Sequence, residues 1–448
     1  MKTKISDASL LGTAGIGKLL LKIAPPVMLA QLIQALYNVV DSFFVGKFSP
    51  DGLTALSVIF PVQLLITALA VGTGVGVNTY MARRYAHGDR LGANRTAGAG
   101  FVLAVMSWAC FALLSYFLMP YYVQTSAKSP LAVDYAIRYG NIVCVGSLGT
   151  FLEAVWSKVH QAGGNMRLPM IAQIIGAAVN VALDYVLIFG AGILPALGID
   201  GAAYATVAGQ VAAAAIVGVK AFHIPPPLKN SGEYVKNIYR LGYPSIMQQA
   251  LYTVYIVVLN VILSGFSDAA VTVLGLYYKL QTFFFIPLMG LSTCIVPALS
   301  YNFENDNFER CKKITNDSLF VSAAFMIVGI ICFEALPARL IGLFSSEAEV
   351  LKIGVPAFRI IGTSFISAVF SLMLPVFFQA IGASKRSTLL SFTRQILCLM
   401  PIFWLFSLIG LEYAWIAFPV SETIAGGAGL ILYIKQLVAW KKISPQSA

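Results

Sequence analysis

The chain has 448 residues, of which 58% are hydrophobic and only 11% are charged. Soluble proteins carry about 25% charged residues, so this composition excludes a protein that lives free in water. The formal net charge of +11 does not indicate a nucleic-acid-binding protein. The basic residues stand in small groups between long apolar runs and form no continuous stripe. The expected partner is therefore a lipid bilayer and not a nucleic acid.

Twelve apolar runs are long enough to cross a bilayer, which takes about 20 residues of helix. They lie near residues 20–46, 53–82, 97–120, 132–156, 168–190, 199–221, 238–265, 270–299, 315–343, 350–380, 388–410 and 413–437. The longest polar link, residues 223–232, contains three consecutive prolines and falls at mid-chain. The sequence therefore predicts an all-α membrane protein with twelve transmembrane helices in two pseudo-symmetric six-helix bundles, formed by residues 1–222 and 223–448.

The placement of Lys and Arg predicts the orientation of these helices, since short cytoplasmic loops are rich in basic residues. With a cytoplasmic N-terminus, 23 basic residues fall on the cytoplasmic side and six on the opposite side. Arg394 is counted among the cytoplasmic residues, whereas Lys279 lies inside a span. A multi-pass protein of the cytoplasmic (inner) membrane with both termini in the cytoplasm is therefore expected.

The two halves of the sequence repeat one another at an offset of 218 residues. This offset aligns Pro26 with Pro244, Tyr37 with Tyr255, Gln161 with Gln379 and Gly164 with Gly382. After a short gap, residues 197–200 align with residues 408–412. Parallel repeats of this kind are typical of transporters that bind their substrate near the middle of the membrane.

Motifs of soluble enzymes are absent from the sequence. There is no phosphate-binding loop of the type G-x-x-x-x-G-K-[ST], and no two of the six cysteines are spaced as C-x-x-C. The glycine-rich stretch Gly72-Thr73-Gly74-Val75-Gly76 lies deep in the second predicted span, where close helix packing is expected rather than phosphate binding. We therefore expect neither an enzyme nor a bound cofactor.

Charged residues inside the predicted spans are the informative ones, because a charge buried in a bilayer is costly and generally faces a cavity. They are Asp41, Asp184, Lys279 and Glu422. Lys279 and Glu422 are expected to form one buried pair, with a structural role favoured over a contact with substrate. Glu153 lies near the cytoplasmic end of its predicted span, where solvation is the simpler interpretation.

Asp41, Asp184 and Thr206 are expected at one depth, about 8–12 Å below the outer surface. A spacing of four residues places Tyr37 on the helix face of Asp41 and Asn180 on that of Asp184. Oxygen groups of these types suit Na⁺ or a proton, and two carboxylates at one dry site cannot easily both be ionised. The simpler alternative is that Asp41 caps a packed helix and Asp184 has a structural partner.

Several motifs resemble those of the multidrug and toxic compound extrusion (MATE) transporters, and they extend over nearly the whole chain. They are Ala24-Pro25-Pro26-Val27, Tyr37-Asn38-Val39-Val40-Asp41-Ser42-Phe43-Phe44-Val45-Gly46, Gln161-Ala162-Gly163-Gly164-Asn165, Asn180-Val181-Ala182-Leu183-Asp184-Tyr185, Gly201-Ala202-Ala203-Tyr204-Ala205-Thr206 and Gln379-Ala380-Ile381-Gly382. The resemblance implies an antiporter, coupled to H⁺ or Na⁺, that exports organic cations, drugs or other amphipathic toxins by alternating access. We further expect a monomer without a cofactor other than the coupling ion.

The resemblance assigns roles to individual positions. The implied cation site is formed by Asp41, Asn180, Asp184 and Thr206, with Asp41 and Asp184 as metal ligands if the ion is Na⁺. The implied substrate or coupling residues are Tyr37, Gln34 and Asn38, together with Pro26, at which the first helix is proposed to bend; Lys279 and Glu422 are further candidates. Some members carry acidic residues in the seventh and tenth spans, but this chain has none there, and Gln249 is the nearest polar candidate. That absence favours the DinF-like branch, coupled through the first lobe.

Three other functions remain open at this point. A flippase for lipid-linked precursors, from the same broad superfamily, would need a cavity rich in Arg and Lys. A membrane-embedded enzyme would need a convergent catalytic set, for which only the two aspartates are available. A passive channel would not support export against a gradient.

Overall fold

The computed structural model describes residues 11–126, 129–190, 195–345 and 347–443, and all regular structure within these ranges is helical. Among the described residues, ten helices are long and apolar enough to cross a membrane, or up to twelve if each of two bent pairs is one span. Large apolar side chains also remain exposed, including Val219 (80%), Leu21 (77%) and Phe320 (76%). A helix satisfies its own backbone hydrogen bonds, which lipid requires, so the chain is a multi-pass helical membrane protein as predicted.

Contacts divide the chain into two units. The first contains Pro25–Gln249, and the second contains Ala14–Ala24 and the chain from Ala250 onward. Both boundaries fall inside long helices, the first of which runs without interruption through Pro25 and Pro26. Because one helix contributes to both units at each boundary, the predicted division of the repeat after residue 222 stays a prediction.

The helices are numbered in chain order. Those that begin before Ala250 are α1 (Ile16–Phe48), α2 (Pro50–Ala86), α3 (Arg90–Ser126), α4 (Pro130–Val145), α5 (Leu148–Ala162), α6 (Arg167–Phe189), α7 (Ile199–Ala221) and α8 (Leu228–Ser264). Those that follow are α9 (Asp268–Phe284), α10 (Ile286–Glu304), α11 (Phe308–Ala335), α12 (Pro337–Gly342), α13 (Ala348–Gly362), α14 (Phe365–Ala380), α15 (Ser384–Phe392), a π-helical segment (Thr393–Leu399), α16 (Met400–Ser407), α17 (Leu411–Ala414) and α18 (Ala417–Ile443).

Side-chain caps explain several of the sharp helix starts. The Ser49 hydroxyl accepts a hydrogen bond from the Gly52 amide at 3.3 Å, and Pro50 occupies the first turn of α2. Ser129 and Ser267 cap α4 and α9 in the same way. A serine at this position satisfies an amide that the first helical turn leaves unpaired, and a proline there loses no helical hydrogen bond. These caps allow long helices to follow one another through very short connections.

The sequence repeat is also a repeat of backbone geometry. Helices α4 and α5 are bent by 42° at a break over Gly146 and Ser147, and α13 and α14 are bent by 57° at a break over residues 363–364. Gly164 and Gly382 both have positive φ, at 84° and 82°, a conformation that glycine adopts without steric cost. Breaks and turns at matching positions confirm the predicted alignment of the two halves.

The glycine-rich stretch of α2 is a packing surface, as the sequence predicts. A Cβ atom at Gly72 would meet Ile246, and one at Gly76 would meet the carbonyl oxygen of Ile238, both on α8. A Cβ atom at Gly74 would lie 2.9 Å from the carbonyl oxygen of Ala154 on α5. Small residues let membrane helices approach at backbone distance, so this stretch holds α2 against α5 and α8 within the first unit.

Candidate functional site

A polar cavity of about 330 Å³ lies inside the first unit. Residues from α1, α2, α4, α5, α6 and α7 form its wall, so six helices converge on one space. Its polar lining is unusual for the interior of a membrane protein. The polar side chains that line it are Gln34, Tyr37, Asn38, Asp41, Gln63, Thr67, Tyr139, Ser147, Thr150, Glu153, Gln173, Asn180, Thr206 and Gln210.

Two carboxyl groups meet at this cavity. Asp41 on α1 lines the cavity, and Asp184 on α6 is fully buried within hydrogen-bonding reach of it. Asp41 Oδ1 and both oxygens of Asp184 are buried and accept no hydrogen bond from any other described group. Buried acceptors without a donor are costly, and two adjacent carboxylates repel one another, so this pair has reason to take up a proton or a cation.

Asn180 and Thr206 extend the same oxygen-rich site. Asn180 lies one helical turn before Asp184 and is 3% exposed, and neither polar atom of its side chain has a partner within the described residues. Thr206 on α7 is also buried, and its hydroxyl lies within hydrogen-bonding reach of the Tyr139 hydroxyl. The structure thus brings together all four residues of the predicted cation site, whose role as a site stays a prediction.

The donor atoms of this site fit a hard cation or a proton. Carboxylate, amide and hydroxyl oxygens are the ligands that hard cations prefer, and the unpartnered oxygens of Asp41, Asp184 and Asn180 are available for that purpose. Within the described ranges, no cluster of three or more His, Cys, Asp or Glu residues occurs. The site therefore has the composition expected for Na⁺ or H⁺ and lacks the nitrogen and sulfur ligands typical of zinc sites.

The other predicted residues of α1 are distributed along the same wall. Gln34, Tyr37 and Asn38 all line the cavity together with Asp41, because their spacing places them on one side of the helix. Tyr37 lies close enough to Asp41, Asp184 and Glu153 to interact with all three electrostatically. Pro26 is not among the lining residues, so any role it has acts through the shape of α1.

Glu153 corrects one prediction. Its expected place was a solvated helix end, but the structure places it half-buried on α5, in the wall of the cavity. The Ser157 hydroxyl donates a hydrogen bond of 2.7 Å to its Oε1, and the Gln173 amide lies within reach. Hydropathy places Glu153 along its span but does not show that its side chain faces a polar cavity.

Tyr139, Gln63 and Gln210 line the same cavity and were also missed. Tyr139 is 1% exposed, and its hydroxyl accepts a hydrogen bond of 3.4 Å from Gln63 Nε2. An uncharged polar residue in a span carries no clear sequence signal, because Tyr and Gln are also common at helix surfaces.

The second unit corrects the predicted pair of Lys279 and Glu422. Lys279 is exposed, and its ammonium group lies 6.0 Å from the centre of the Phe344 ring. Glu422 on α18 instead pairs with Arg394, whose Nη2 lies 2.6 Å from Glu422 Oε1. Arg394 is only 6% exposed and belongs to the π-helical segment, so its assignment to the cytoplasmic surface was also wrong.

Comparison with known proteins decides the family. The sequence model of the MatE family matches the chain twice, over residues 26–186 and 244–405. The second match starts 218 residues after the first, which is the offset of the internal repeat. The chain belongs to the MatE family. Members of this family are transporters, so this MatE chain is a membrane transporter and not an enzyme.

Individual relatives agree with this assignment. The chain is 22% identical to the multidrug export protein MepA of Staphylococcus saprophyticus, over 91% of this chain and 92% of the relative. It is 25% identical to the FAD transporter of Shewanella oneidensis, over 92% and 93%. A solved structure of a MOP superfamily transporter from Pyrococcus furiosus superposes with a TM-score of 0.90 at 23% identity, covering 98% of this chain and 100% of that one. At this identity the structural likeness concerns the fold.

Proposed function

We propose that this MatE transporter exports amphipathic or cationic drugs by alternating access, in exchange for H⁺ or Na⁺ entering the cell. Membership of the family and the similarity to a multidrug export protein support drug export. The observation that carries the proposed coupling is the contact between Asp41 and Asp184, two carboxyl groups with unpartnered oxygens beside a cavity. An ion can reach such a pair, and its binding changes the charge there.

The coupling acts through α1, because this helix carries Asp41 and also contributes Gln34, Tyr37 and Asn38 to the wall of the cavity. When both carboxyl groups are ionised they repel one another, and a proton or Na⁺ shared between them removes that repulsion. The packing of α1 that is favoured when an ion is bound therefore differs from the packing that is favoured when both carboxyl groups are ionised and no ion is bound. Pro26, which cannot form the usual helical hydrogen bond, is the proposed bending point.

The drug is proposed to occupy the described cavity together with the coupling ion or in alternation with it. Its volume of about 330 Å³ lies within the range of about 300–1,000 Å³ typical of small-molecule sites. Glu153 supplies a carboxylate for a positively charged group, and Tyr37 and Phe60 supply aromatic surface for an apolar one. None of the described residues that line this cavity is Lys or Arg, which favours cations over anions at this place.

The energy available is sufficient for useful export. One elementary charge that crosses a potential of about 100 mV releases about 2.3 kcal/mol, which corresponds to a concentration ratio of roughly 50-fold. We propose further that the transporter is a monomer in the inner membrane, with both termini in the cytoplasm and coupling of the DinF-like type.

A second candidate is the transport of an anionic cargo, as by a flippase for a lipid-linked precursor. The observation that favours it is the similarity to the FAD transporter of Shewanella oneidensis, because such a cargo is anionic. Two features of the cavity in the first unit oppose the binding of an anionic cargo there. Its described lining contains no basic residue, and Asp41 and Glu153 contribute carboxylates to it.

Efflux of ethidium from proteoliposomes under an imposed proton or sodium gradient tests the main proposal. The variants are Asp41→Asn and Asp184→Asn, and the matched control is Asp134→Asn, because Asp134 is an exposed aspartate of the same unit. We expect the wild type and the control to export ethidium under one of the two gradients, and both site variants to lose that export while remaining inserted in the membrane.

The efflux measurements distinguish coupling through the carboxyl pair from the alternatives. Loss of efflux in both variants supports coupling through the carboxyl pair, and the effective gradient identifies the ion. Efflux that persists in both variants would place the coupling outside this pair. A wild type that does not move ethidium but moves an anionic lipid-linked precursor would favour the second candidate.

A further inference from the structure

A buried ion pair in the second unit has no part in the proposed coupling. Arg394 Nε lies 2.9 Å and 3.0 Å from the two carboxylate oxygens of Glu422, and Arg394 Nη2 lies 2.6 Å from Oε1. The Ser371 hydroxyl donates a further hydrogen bond to Glu422 Oε2. The three residues are between 3% and 6% exposed. Two buried charges and a hydroxyl therefore form one compact cluster.

This cluster lies at the place in the second repeat that corresponds to the cavity wall of the first. The offset of 218 residues aligns Ser371 with Glu153 and Arg394 with Gly176. After Gly198 and Gly410, which immediately precede α7 and α17, the offset is 212, and Glu422 aligns with Gln210. All three counterparts in the first repeat line its cavity: Glu153, Gly176 and Gln210. The position thus carries polar groups in both repeats, but only the second repeat places a basic residue there.

The local backbone is also specialised. Arg394 is the second residue of the π-helical segment Thr393–Leu399, which separates α15 from α16. Such turns are uncommon and occur frequently at functional sites. A buried ion pair seldom stabilises a protein more than an apolar pair of similar size, so stability gives no sufficient reason for this arrangement.

Three tyrosines lie within electrostatic range of the guanidinium group. They are Tyr252, Tyr255 and Tyr277. The rings of Tyr252 and Tyr255 are 5.3 Å apart, and Tyr278 lies 6.2 Å from each of them. Among the hydrogen bonds of the described residues, those of Arg394 use Nε and Nη2 and none uses Nη1. One side of the guanidinium therefore holds Glu422, and its remaining donors are available beside a tyrosine cluster.

We propose that Arg394, Glu422 and the surrounding tyrosines form a second binding site, which takes the carboxylate or phosphate group of an aromatic anion. The guanidinium fork matches the geometry of either group, and the half-buried rings of Tyr252 and Tyr278 provide surface on which an aromatic ring packs. The proposal rests on the transport function and adds an anion-binding site in the second unit to the cation-binding cavity of the first.

Glu422 acts as an internal competitor in this site. Its carboxylate occupies the Nε and Nη2 donors of Arg394, and a second anion nearby meets its negative charge. Replacement of this carboxylate by a neutral amide therefore frees donors of Arg394 for the incoming anion.

A matched set of naphthalene probes tests this proposal by equilibrium dialysis against the full-length protein in lipid nanodiscs. The anionic probes are 1-naphthoate and 1-naphthyl phosphate, which distinguish a carboxylate from a phosphate site. The controls are uncharged 1-naphthol and cationic 1-naphthylmethylammonium. We expect the wild type to bind at least one anionic probe more tightly than either 1-naphthol or 1-naphthylmethylammonium.

Three variants separate a binding site from a structural pair. Glu422→Gln removes the competitor, so we expect anion binding that is about tenfold tighter than in the wild type. The double variant Arg394→Gln with Glu422→Gln leaves no unpaired charge and is expected to fold but to lose the preference for anions. Arg386→Gln is the control, because Arg386 is basic and lies on α15 but contacts Gln436 at 2.6 Å on an exposed surface.

The proposal is overturned if the wild type and Glu422→Gln bind the anionic probes no more tightly than 1-naphthol. It is also overturned if the folded double variant binds them as the wild type does. Ethidium efflux measured on the same variants keeps the two proposals apart, because it depends on the first unit. Loss of anion binding with intact ethidium efflux supports the second site, whereas the absence of both activities in the wild type contradicts the transport function itself.

Discussion

The carboxyl groups of Asp41 and Asp184 meet although they lie on different helices, α1 and α6. Each brings with it a residue one helical turn before it: Tyr37 on α1 and Asn180 on α6. Neither oxygen of Asp184 accepts a hydrogen bond from another described group. The site thus contains acceptors in excess of donors, and its stability depends on what neutralises them.

Asp184→Asn is expected to make the protein more stable at alkaline pH. The new amide donates a hydrogen bond to Asp41 and removes one of two repelling charges, which together are worth about 1–3 kcal/mol. As the pH falls, a proton between the wild-type carboxyl groups supplies the missing donor, so the difference between the proteins should shrink. Thermal unfolding in detergent over a series of pH values measures this effect.

Asp134→Asn is the control for that measurement, because Asp134 is exposed on α4 and its ion-pair partner Arg138 is itself half-exposed. Its unfolding temperature should follow that of the wild type at every pH. An Asp184→Asn protein that is less stable than the wild type throughout the series would show that Asp184 has a structural partner, which is the simpler alternative considered from the sequence.

Glu153→Gln is expected to weaken the binding of cationic substrates while leaving uncharged ones unaffected. The substitution keeps a hydrogen-bonding group beside Ser157 and Gln173 but removes the negative charge from the cavity wall. We expect the affinity for ethidium to fall by about five- to 30-fold, corresponding to about 1–2 kcal/mol for a partly buried ion pair. Equal losses for ethidium and for an uncharged aromatic of similar size would indicate a change of shape instead.

The sequence predicted the first site well because two kinds of information agreed there. Hydropathy set the depth of Asp41 and Asp184, and the helical period placed Tyr37 and Asn180 on their faces. The cavity lies where these faces converge. The same reasoning did not identify Tyr139 or Gln63, since an uncharged polar residue in a span gives no signal that separates a cavity wall from a helix surface.

The prediction from the sequence was wrong in the second unit because the depth of a residue in the membrane does not determine which side of its helix it lies on. Lys279 and Glu422 were paired on depth alone, yet Lys279 is exposed near Phe344 and Glu422 faces Arg394. Arg394 was assigned to the cytoplasmic surface because it lies close to the start of its span. Arg394 lies in a π-helical segment, and no pattern in the sequence indicates where a helix widens.

Gly76→Ala is expected to destabilise the first unit. The added Cβ atom would overlap the carbonyl oxygen of Ile238 on α8, and backbone atoms cannot move aside as a flexible side chain can. Overpacking of this kind costs about 1–3 kcal/mol. Gly275→Ala is the matched control, because nothing lies within 4 Å of its added Cβ atom in α9. Helix propensity favours Ala by about 1 kcal/mol, so the control should become slightly more stable in thermal unfolding.

Arg394→Gln alone is expected to destabilise the second unit more than the double variant Arg394→Gln with Glu422→Gln. The single variant leaves Glu422 buried without its partner, which costs about 3–5 kcal/mol, whereas removal of both charges is often neutral. Lys279→Gln is the control, since Lys279 is exposed and makes no contact with Glu422. Thermal unfolding of the four proteins measures the order of stability. If the single variant were as stable as the double variant, the buried Glu422 side chain would not need Arg394 as its partner. The competition between Glu422 and an incoming anion for Arg394 would then have no basis.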